Sequence, residues 1–259
     1  MVQKIKNILL GSIPFLLIGI VWWLCYFFNL MPQWLIPSPF ETVLTFWQLT
    51  INGTLINLVW ASAQNAALAF LLAFIFSLVL GTLIGINTTI KKIFFPFLSA
   101  IYPVPSLAWL PLAVLFLGFT IKTVLFVIFI SSFKKMIYSI IGGVRGVNSN
   151  WILAAKNLGL NKLEIVLKVI LPASLPQIMT GIRMGFGSAW RSLIGAEMLL
   201  VTIGGLGKFI WMSQWFLDFN KVFVGIFAIA LVGIFMEQFI LKQFEKLTLV
   251  KWGFLYEET

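Results

Sequence analysis

The stretch NSNWILAAKNLGLNKLEIVLKVILPASLP, residues 148–176, interrupts a chain that is strongly apolar on both sides of it. Its first part has the signals of a short helix over residues 151–158, because Ser149 or Asn150 can serve as the N-cap. Gly159 then suits the left-handed backbone conformation at which helices often stop. This part of the chain is therefore predicted to form a short helix followed by a sharp turn.

A second helix is predicted immediately after that turn. Asn161, with Glu164 at the third helical position, has the pattern of an N-cap with an acidic partner. The helix is expected to run to Leu171 and to end at Pro172. We call this pair of short helices, residues 148–172, the elbow.

The elbow has an apolar side and a polar side. Its apolar stripe consists of Leu158, Leu160, Leu163, Val166, Leu167 and Ile170. The residues left to face water or a partner are Lys156, Lys162, Glu164 and Lys168. Such a unit is suited to press on a partner protein, although the pattern alone also fits an amphipathic pair lying on anionic lipid headgroups.

The composition of the chain is that of a membrane protein. Of its 259 residues, 61% are hydrophobic and 10% are charged, whereas soluble domains have about 45–50% and about 25%. The absence of histidine and the presence of one cysteine, Cys25, argue against imidazole catalysis, thiolate metal clusters and intrachain disulfides. We therefore predict no catalytic residue and no metal site.

Six apolar stretches are long enough to cross a bilayer core about 30 Å thick. They are residues 9–28, 60–86, 94–117, 121–144, 175–201 and 222–241. The predicted fold is all-α, a polytopic membrane bundle of six transmembrane helices in one domain, residues 1–259. The third span has prolines at 96, 103, 105 and 111, which remove backbone donors that lipid cannot replace. We therefore expect this span to be shielded by neighbours or to line a cavity.

Basic residues indicate the orientation. With the N-terminus inside, eleven of the eighteen fall on the cytoplasmic side, three outside and four within spans. This is the bias that the positive-inside rule describes for a protein with both termini in the cytoplasm. The net charge of +10 is then explained mostly by topology in the cytoplasmic membrane, with lipid as a neighbour and no nucleic acid as a partner.

Small residues recur at helical spacing in two spans, as GTLIG at residues 81–85 and GIRMG at residues 181–185. Such pairs allow close approach of helix backbones in lipid. They indicate either tight packing within one bundle or a seam between two copies of the chain.

Charged residues inside the spans are candidates for a substrate pathway. Lys134 and Lys135 fall mid-span, where an ionisable group costs about 2.5–3.5 kcal/mol on insertion scales unless it faces water, a partner or substrate. Because adjacent helical residues project about 100° apart, we expect one lysine towards a pore and the other towards a neighbouring helix. The candidate pathway residues are Lys134, Lys135, Arg191 and Glu197. The cations favour an anion, or a zwitterion with a sulfonate or carboxylate, as substrate.

Charge pairing within the bundle is the other interpretation of these residues. It is favoured for Glu197, which can pair with Arg191 or with a lysine from another helix. Arg183 lies nearer the cytoplasmic end of its span, so its side chain is assigned to structure or to headgroup contact.

Residues 154–183, AAKNLGLNKLEIVLKVILPASLPQIMTGIR, resemble the EAA loop of ABC importer permeases, with its EAA, Gly, hydrophobic helix and LPxxxP pattern. The likeness is to the nitrate, sulfonate, taurine and bicarbonate branch. It is supported by IPSPFETV at 36–43, YPVPSLAWLPLAVLFLGF at 102–119, GVRGVN at 143–148, GAEML at 195–199 and GGLG at 204–207. The chain departs from the family at Leu153, which replaces the loop glutamate, and at Asn65 and Tyr102, where arginines are common.

The resemblance implies the fold of a type I ABC importer permease (MetI-like). It also implies that the protein moves a small solute by alternating access. The implied partners are two ATPase subunits, which hold ATP-Mg, and an extracytoplasmic substrate-binding protein. A second permease subunit is also implied, and it is expected to be another copy of this chain, in a homodimer. The residues implied to couple to the ATPase are Ala154, Ala155, Lys156, Gly159, Leu160 and Glu164. The chain itself is expected to bind no cofactor and to have no ATPase site, since GGLGK at 204–208 lacks the spacing of a phosphate-binding loop.

Two other classes of function compete with this interpretation. A self-sufficient channel or secondary transporter would use the intramembrane charges as an ion or proton relay. It would have no need of a capped elbow. A membrane-embedded enzyme is disfavoured, because the spans lack histidine and have too few carboxylates for a catalytic dyad.

Overall fold

The computed structural model describes residues 2–200 and 204–243, and within these ranges the regular structure is helical. The helices are α1 (Val2–Phe27), α2 (Pro39–Ile51), α3 (Thr54–Ile86), α4 (Thr88–Ile101), α5 (Leu110–Leu117), α6 (Ile121–Arg145), α7 (Ser149–Asn157), α8 (Lys162–Ile165), α9 (Leu171–Leu199), α10 (Leu206–Trp215) and α11 (Phe219–Phe235). A 3₁₀ turn, Ser106–Trp109, precedes α5, and π-helical turns follow α8 at Val166–Ile170 and α11 at Met236–Leu241.

Within the part of the chain that the structure describes, four helical segments are long and apolar enough to cross a membrane: Thr54–Ile86, Ile121–Arg145, Lys162–Leu199 and Phe219–Phe239. A fifth crossing results if α4 and residues 106–117 are taken together, and α1 adds the shorter apolar segment Leu16–Phe27. The predicted all-α membrane bundle is confirmed, while the count of six crossings stays a prediction. Residue 201, the predicted end of the fifth span, and residues 244–259 at the C-terminus lie outside the described residues.

Helix α6 lies at the centre of the bundle, with α3 on one side and α9 on the other. The two small-xxx-small segments make these contacts possible. A Cβ atom at Gly85 of α3 would lie 2.5 Å from Val144 Cγ1, and one at Gly181 of α9 would lie 2.7 Å from Ser139 Cβ. Of the two interpretations of these glycines, the structure therefore supports close packing within one chain.

The predicted third span is not one helix. α4 and the 106–117 segment form an angle of 94°, and the chain between them, residues 102–105, is not helical. Pro103 and Pro105 explain the break, because neither has an N–H to continue the hydrogen-bond ladder of α4. The prediction that residues 94–117 form a single helix is therefore wrong. Of the two alternatives expected for this span, shielding by neighbours or lining a cavity, the second applies to Pro103 and Pro105, whose cavity is described below.

The prediction that Pro172 ends the second helix of the elbow is also wrong. α8 continues through the π-helical turn into α9, and Lys162–Leu199 forms one apolar helical segment. In the π-helical turn the N–H of Leu171 bonds the carbonyl of Val166, five residues back. The hydrogen-bond register therefore changes where Pro172 has no donor, so the proline does not interrupt the helix.

Smaller differences concern helix starts. The N-cap of α7 is Asn148, whose side chain accepts from the N–H of Asn150 at 2.9 Å, so neither Ser149 nor Asn150 has that role. Helix α2 lies outside the predicted spans. Its N-cap is Ser38, whose side chain accepts a hydrogen bond from Glu41 N at 3.0 Å. A cap followed by proline is a signal that the sequence already contained.

Candidate functional site

A cavity of about 280 Å³ lies where the break between α4 and α5 meets α6 and α9. We call it the bend cavity. Its lining consists of residues 102–106 of the break with Ser131, Lys134, Lys135, Ser188, Arg191 and Ser192. Among these described lining residues three are basic and none is acidic, so the cavity is suited to an anion.

Helical periodicity explains why these polar side chains meet. Ser131, Lys134 and Lys135 are spaced i, i+3, i+4 on α6, and Ser188, Arg191 and Ser192 repeat that spacing on α9. Residues so spaced share one face of a helix. The sequence analysis identified the cations and missed the serines, although the same spacing in an apolar segment was the signal that could have found them.

Both lysines contact the broken segment. Lys134 is 8% exposed, and its Nζ donates to the backbone oxygens of Val104 and, at 3.4 Å, Tyr102. Lys135 Nζ lies 3.2 Å from the Tyr102 hydroxyl and 4.8 Å from the centroid of its ring. The two ammonium groups do not diverge as expected, because long lysine side chains can bend around the helix to the same target.

Hydroxyl groups connect the three sides of the bend cavity. Ser192 Oγ lies 2.8 Å from Ser106 Oγ and donates to Ser131 Oγ at 2.7 Å. Ser131 Oγ in turn donates to the Ser188 carbonyl at 3.1 Å. Hydroxyl groups both donate and accept hydrogen bonds, so this network of serines can rearrange around an anionic ligand.

Arg191 also lines a second cavity, of about 320 Å³, between α9 and α11. Arg183 and Glu237 line that cavity with it. The structure thus places Arg191 between the bend cavity and a second cavity that lies nearer the start of α9.

Lys134 has the geometry of a structural residue as well as of a pathway residue. We predict that Lys134→Met lowers the free energy of unfolding by about 1–3 kcal/mol, since the carbonyls of Tyr102 and Val104 would lose a buried donor. Thermal unfolding of the purified protein in detergent measures this. Lys122→Met, an exposed position on the same helix, is the control with no expected change. An unaltered unfolding temperature in Lys134→Met would contradict the structural role.

Glu197 lies apart from the bend cavity, so the structure brings only three of the four candidate pathway residues together. The carboxylate is fully buried and accepts from Ser62 Oγ at 2.9 Å and from Gly207 N at 3.0 Å. Ser62 Oγ accepts in turn from Leu206 N at 2.9 Å. These neutral donors occupy the place of the cationic partner that we expected for Glu197.

The contacts of Glu197 join two sequence motifs, GAEML at 195–199 and GGLG at 204–207. Leu206 and Gly207 are the first residues of α10, so the carboxylate lies at the positive end of that helix, where anions are stabilised. Glu197 thereby fastens the start of α10 to α9 and, through Ser62, to α3.

The elbow has the predicted stop at Gly159. Gly159 has φ +81°, its N–H bonds the Lys156 carbonyl at 2.9 Å, and the N–H of Leu160 bonds the Ala155 carbonyl at 3.1 Å. This pair of bonds is the Schellman arrangement, which requires a left-handed residue. The turn between the two helices is therefore fixed by backbone hydrogen bonds.

The second helix of the elbow has the predicted cap. Asn161 Oδ1 accepts from Glu164 N at 2.9 Å, and Glu164 Oε2 accepts from Asn161 N at 3.0 Å. Lys168 Nζ also donates to Glu164 Oε1 at 2.8 Å.

The elbow has a buried side and an exposed side. Ala155, 5% exposed, packs into the same cluster as Val144 of α6 and Ile178 of α9. Ala154 and Lys156 are exposed, and Leu160 is half-buried. The exposed side also has large apolar residues at Trp151, Leu153, Leu158, Leu163 and Leu167. Three of these, Leu158, Leu163 and Leu167, belong to the predicted apolar stripe, so the structure divides that stripe between the two sides of the elbow. Contiguous exposed apolar residues of this kind mark a surface that another molecule covers.

Comparisons with known proteins agree with this architecture. Residues 73–245 match the family described as "Binding-protein-dependent transport system inner membrane component". The taurine transport system permease protein TauC of Escherichia coli (strain K12) is 32% identical over 222 residues, 84% of this chain and 80% of that protein. The nitrate import permease protein NrtB of Leptolyngbya laminosa is 32% identical over 208 residues, 77% of this chain and 74% of that protein.

A solved structure has the same fold. A chain of the MetNI methionine ABC transporter, in an inward-facing conformation, superposes with a TM-score of 0.59 over 75% of this chain and 95% of that chain, at 15% sequence identity. This confirms the expected MetI-like fold. The chain belongs to the family of binding-protein-dependent transport system inner membrane components, and it is a permease subunit of an ABC importer.

Proposed function

We propose that this permease moves a small anion, of the taurine or nitrate kind, inward across the cytoplasmic membrane. The observation that carries the proposal is the bend cavity, in which Lys134, Lys135 and Arg191 converge with hydroxyl groups and without a described carboxylate. A cationic cavity of this kind offers a desolvated anion the charge-assisted hydrogen bonds that it would otherwise lose with water. The names of the two relatives, which concern a sulfonate and nitrate, support this choice of substrate class.

Within the bend cavity, Lys135 and Arg191 are the residues that contact the substrate. Lys134 already donates to two backbone carbonyls, whereas Lys135 uses one of its three donors on Tyr102. The guanidinium of Arg191 has five donors in a planar fork that matches an oxyanion. Since Arg191 also lines the second cavity, it passes the anion from the bend cavity towards Arg183.

Energy for transport comes from two partner ATPase subunits, which hold ATP-Mg and bind the elbow. The exposed leucines of the elbow form the contact, and its capped helices transmit the movement as a rigid body to α9, with which α8 is continuous. The coupling residues are Ala154, Ala155, Lys156, Gly159, Leu160 and Glu164. A two-state bundle would convert this push into alternating inward and outward opening.

The complete importer contains, by this proposal, a second copy of this permease and an extracytoplasmic binding protein. Both termini of the chain are then cytoplasmic, with the elbow on the same side. Specificity among anions rests largely with the binding protein.

Uptake by the reconstituted transporter tests the pathway. We predict that Lys135→Met and Arg191→Met each reduce anion uptake about tenfold or more, since each removes a hydrogen bond from a charged group. Binding-protein-stimulated ATPase activity is expected to remain, because neither residue lies in the elbow. Normal uptake in both variants would remove these side chains from the pathway.

Two control variants and one control preparation accompany the uptake measurement. Lys135→Arg keeps the charge and should keep most of the uptake, and Lys122→Met removes an exposed cation from the same helix without effect. Proteoliposomes with the permease alone should show no uptake. Uptake without ATPase would instead indicate a self-sufficient channel or secondary transporter.

A further inference from the structure

A cavity of about 680 Å³ lies between the elbow and the ends of the membrane helices, and the proposed transport pathway does not use it. We call it the elbow cavity. Its cations come from three different helices and are Arg145 of α6, Lys156 of α7 and Lys162 of α8. Among its described lining residues none is acidic, so the three positive charges are not balanced within the cavity.

The remaining wall of the elbow cavity is mainly apolar. Leu83 and Ile86 come from the end of α3, Ile90 comes from the start of α4, and Val166 and Ile170 come from the π-helical turn. α3 ends and α4 begins here, so the cavity lies at the level where the chain leaves the membrane. A cationic side and an apolar side at this level match an amphiphile that has an anionic head.

The exposed leucines of the elbow are on a different surface. Leu158 is 80% exposed and Leu163 is 67% exposed, and neither lines the elbow cavity. Apart from Lys156, which belongs to both, the residues proposed to meet the ATPase do not line the elbow cavity, so the elbow can contact a protein on one side and another ligand on the other.

We infer that the elbow cavity binds the headgroup of an anionic phospholipid. The phosphate lies among Arg145, Lys156 and Lys162, and the acyl chains follow the apolar wall formed by α3 and α4. Basic pockets between membrane helices at the membrane surface bind anionic headgroups in this way. A free phosphate ion would be attracted by the cations but would leave the apolar wall uncovered. The lining therefore favours a lipid.

A bound lipid would add a further link between the elbow and the ends of the membrane helices. Arg145 already bonds the Gly85 carbonyl through Nε at 3.3 Å, which fixes it to the end of α3. The headgroup would extend this link to α7 and α8 of the elbow. Anionic lipid therefore sets the position of the elbow relative to the membrane helices.

Native mass spectrometry of the full-length permease tests this inference. The protein is purified in detergent with a fixed mixture of phosphatidylglycerol and phosphatidylcholine, and the phosphatidylglycerol retained is measured. Arg145→Gln and Lys162→Gln are each expected to weaken retention about fivefold, the effect of one cation near a charged membrane surface. Lys92→Gln is the matched control, because it removes a cation at the start of α4 that does not line the cavity.

Three outcomes would overturn the inference. Unchanged retention in both glutamine variants excludes the elbow cavity as the lipid site. Displacement of the lipid by inorganic phosphate alone assigns the cations to a free anion. Co-purification of the partner ATPase is measured with the same variants, and its loss with unchanged lipid retention assigns the cations to the protein interface. Arg145→Lys, which keeps the charge, should retain the lipid and so separates loss of charge from misfolding.

Discussion

Gly159→Val is expected to reduce anion uptake by the assembled transporter to background, the largest functional effect that we predict. Gly159 has φ +81°, and a β-branched residue in the left-handed region is a strained outlier that costs about 1–3 kcal/mol. A Cβ atom there would meet nothing within 4 Å. The effect is therefore not a collision but a change of backbone conformation at residue 159. This change removes the two Schellman hydrogen bonds and redirects the second helix of the elbow.

The measurement combines uptake with co-purification of the ATPase and with its hydrolysis rate. Loss of uptake with retained hydrolysis indicates uncoupling, and loss of the ATPase indicates failure to dock. Gly159→Asn is the control, because asparagine tolerates the left-handed region and should keep most of the uptake. Normal uptake and a normal amount of ATPase in Gly159→Val would count against the elbow as the coupling element.

Gly207→Ala is expected to give the largest loss of stability that we predict. A Cβ atom at Gly207 would collide with the backbone oxygen of Ile194 and lie 2.7 Å from Glu197 Cβ. Because a backbone atom cannot turn away as a side chain can, α10 must move, and the bond from Gly207 N to Glu197 weakens. Overpacking of this kind costs about 3 kcal/mol, which corresponds to a fall of about 10 °C in the unfolding temperature.

Gly204→Ala is a matched control three residues away in the same motif. A Cβ atom at Gly204 meets nothing within 4 Å, so the same added methyl group should leave the unfolding temperature unchanged. Fluorescence-detected thermal unfolding of both variants in one detergent makes the comparison. Equal unfolding temperatures in the two variants would show that the contact between α10 and Glu197 is looser than the structure indicates.

The elbow could be predicted in detail because its determinants are local. The stop at Gly159 and the cap formed by Asn161 and Glu164 depend on hydrogen bonds between residues three to five positions apart. Such bonds are largely specified by residue type. The end of the second helix was missed because a proline can be accommodated by a π-helical turn, and the sequence pattern does not distinguish that from a stop.

The partners of the intramembrane charges could not be predicted in the same way. Lys134, Lys135 and Arg191 were recognisable as costly in lipid, but their convergence depends on where α4 breaks and how α6 packs against α9. Glu197 is separated by 135 residues from Ser62, whose hydroxyl it binds. No spacing rule along one helix connects residues so far apart.

By itself the sequence determined the membrane class, the turn and the second cap of the elbow, and the residue types available to an anion. These follow from composition and from short-range periodicity, because the cost of burying a charge and the preference of a cap are properties of single residues and their near neighbours. Tertiary structure alone decided that the serines and cations share one cavity and that Glu197 holds α10. Those arrangements arise from packing between helices distant in the chain, which depends on the shapes of whole surfaces.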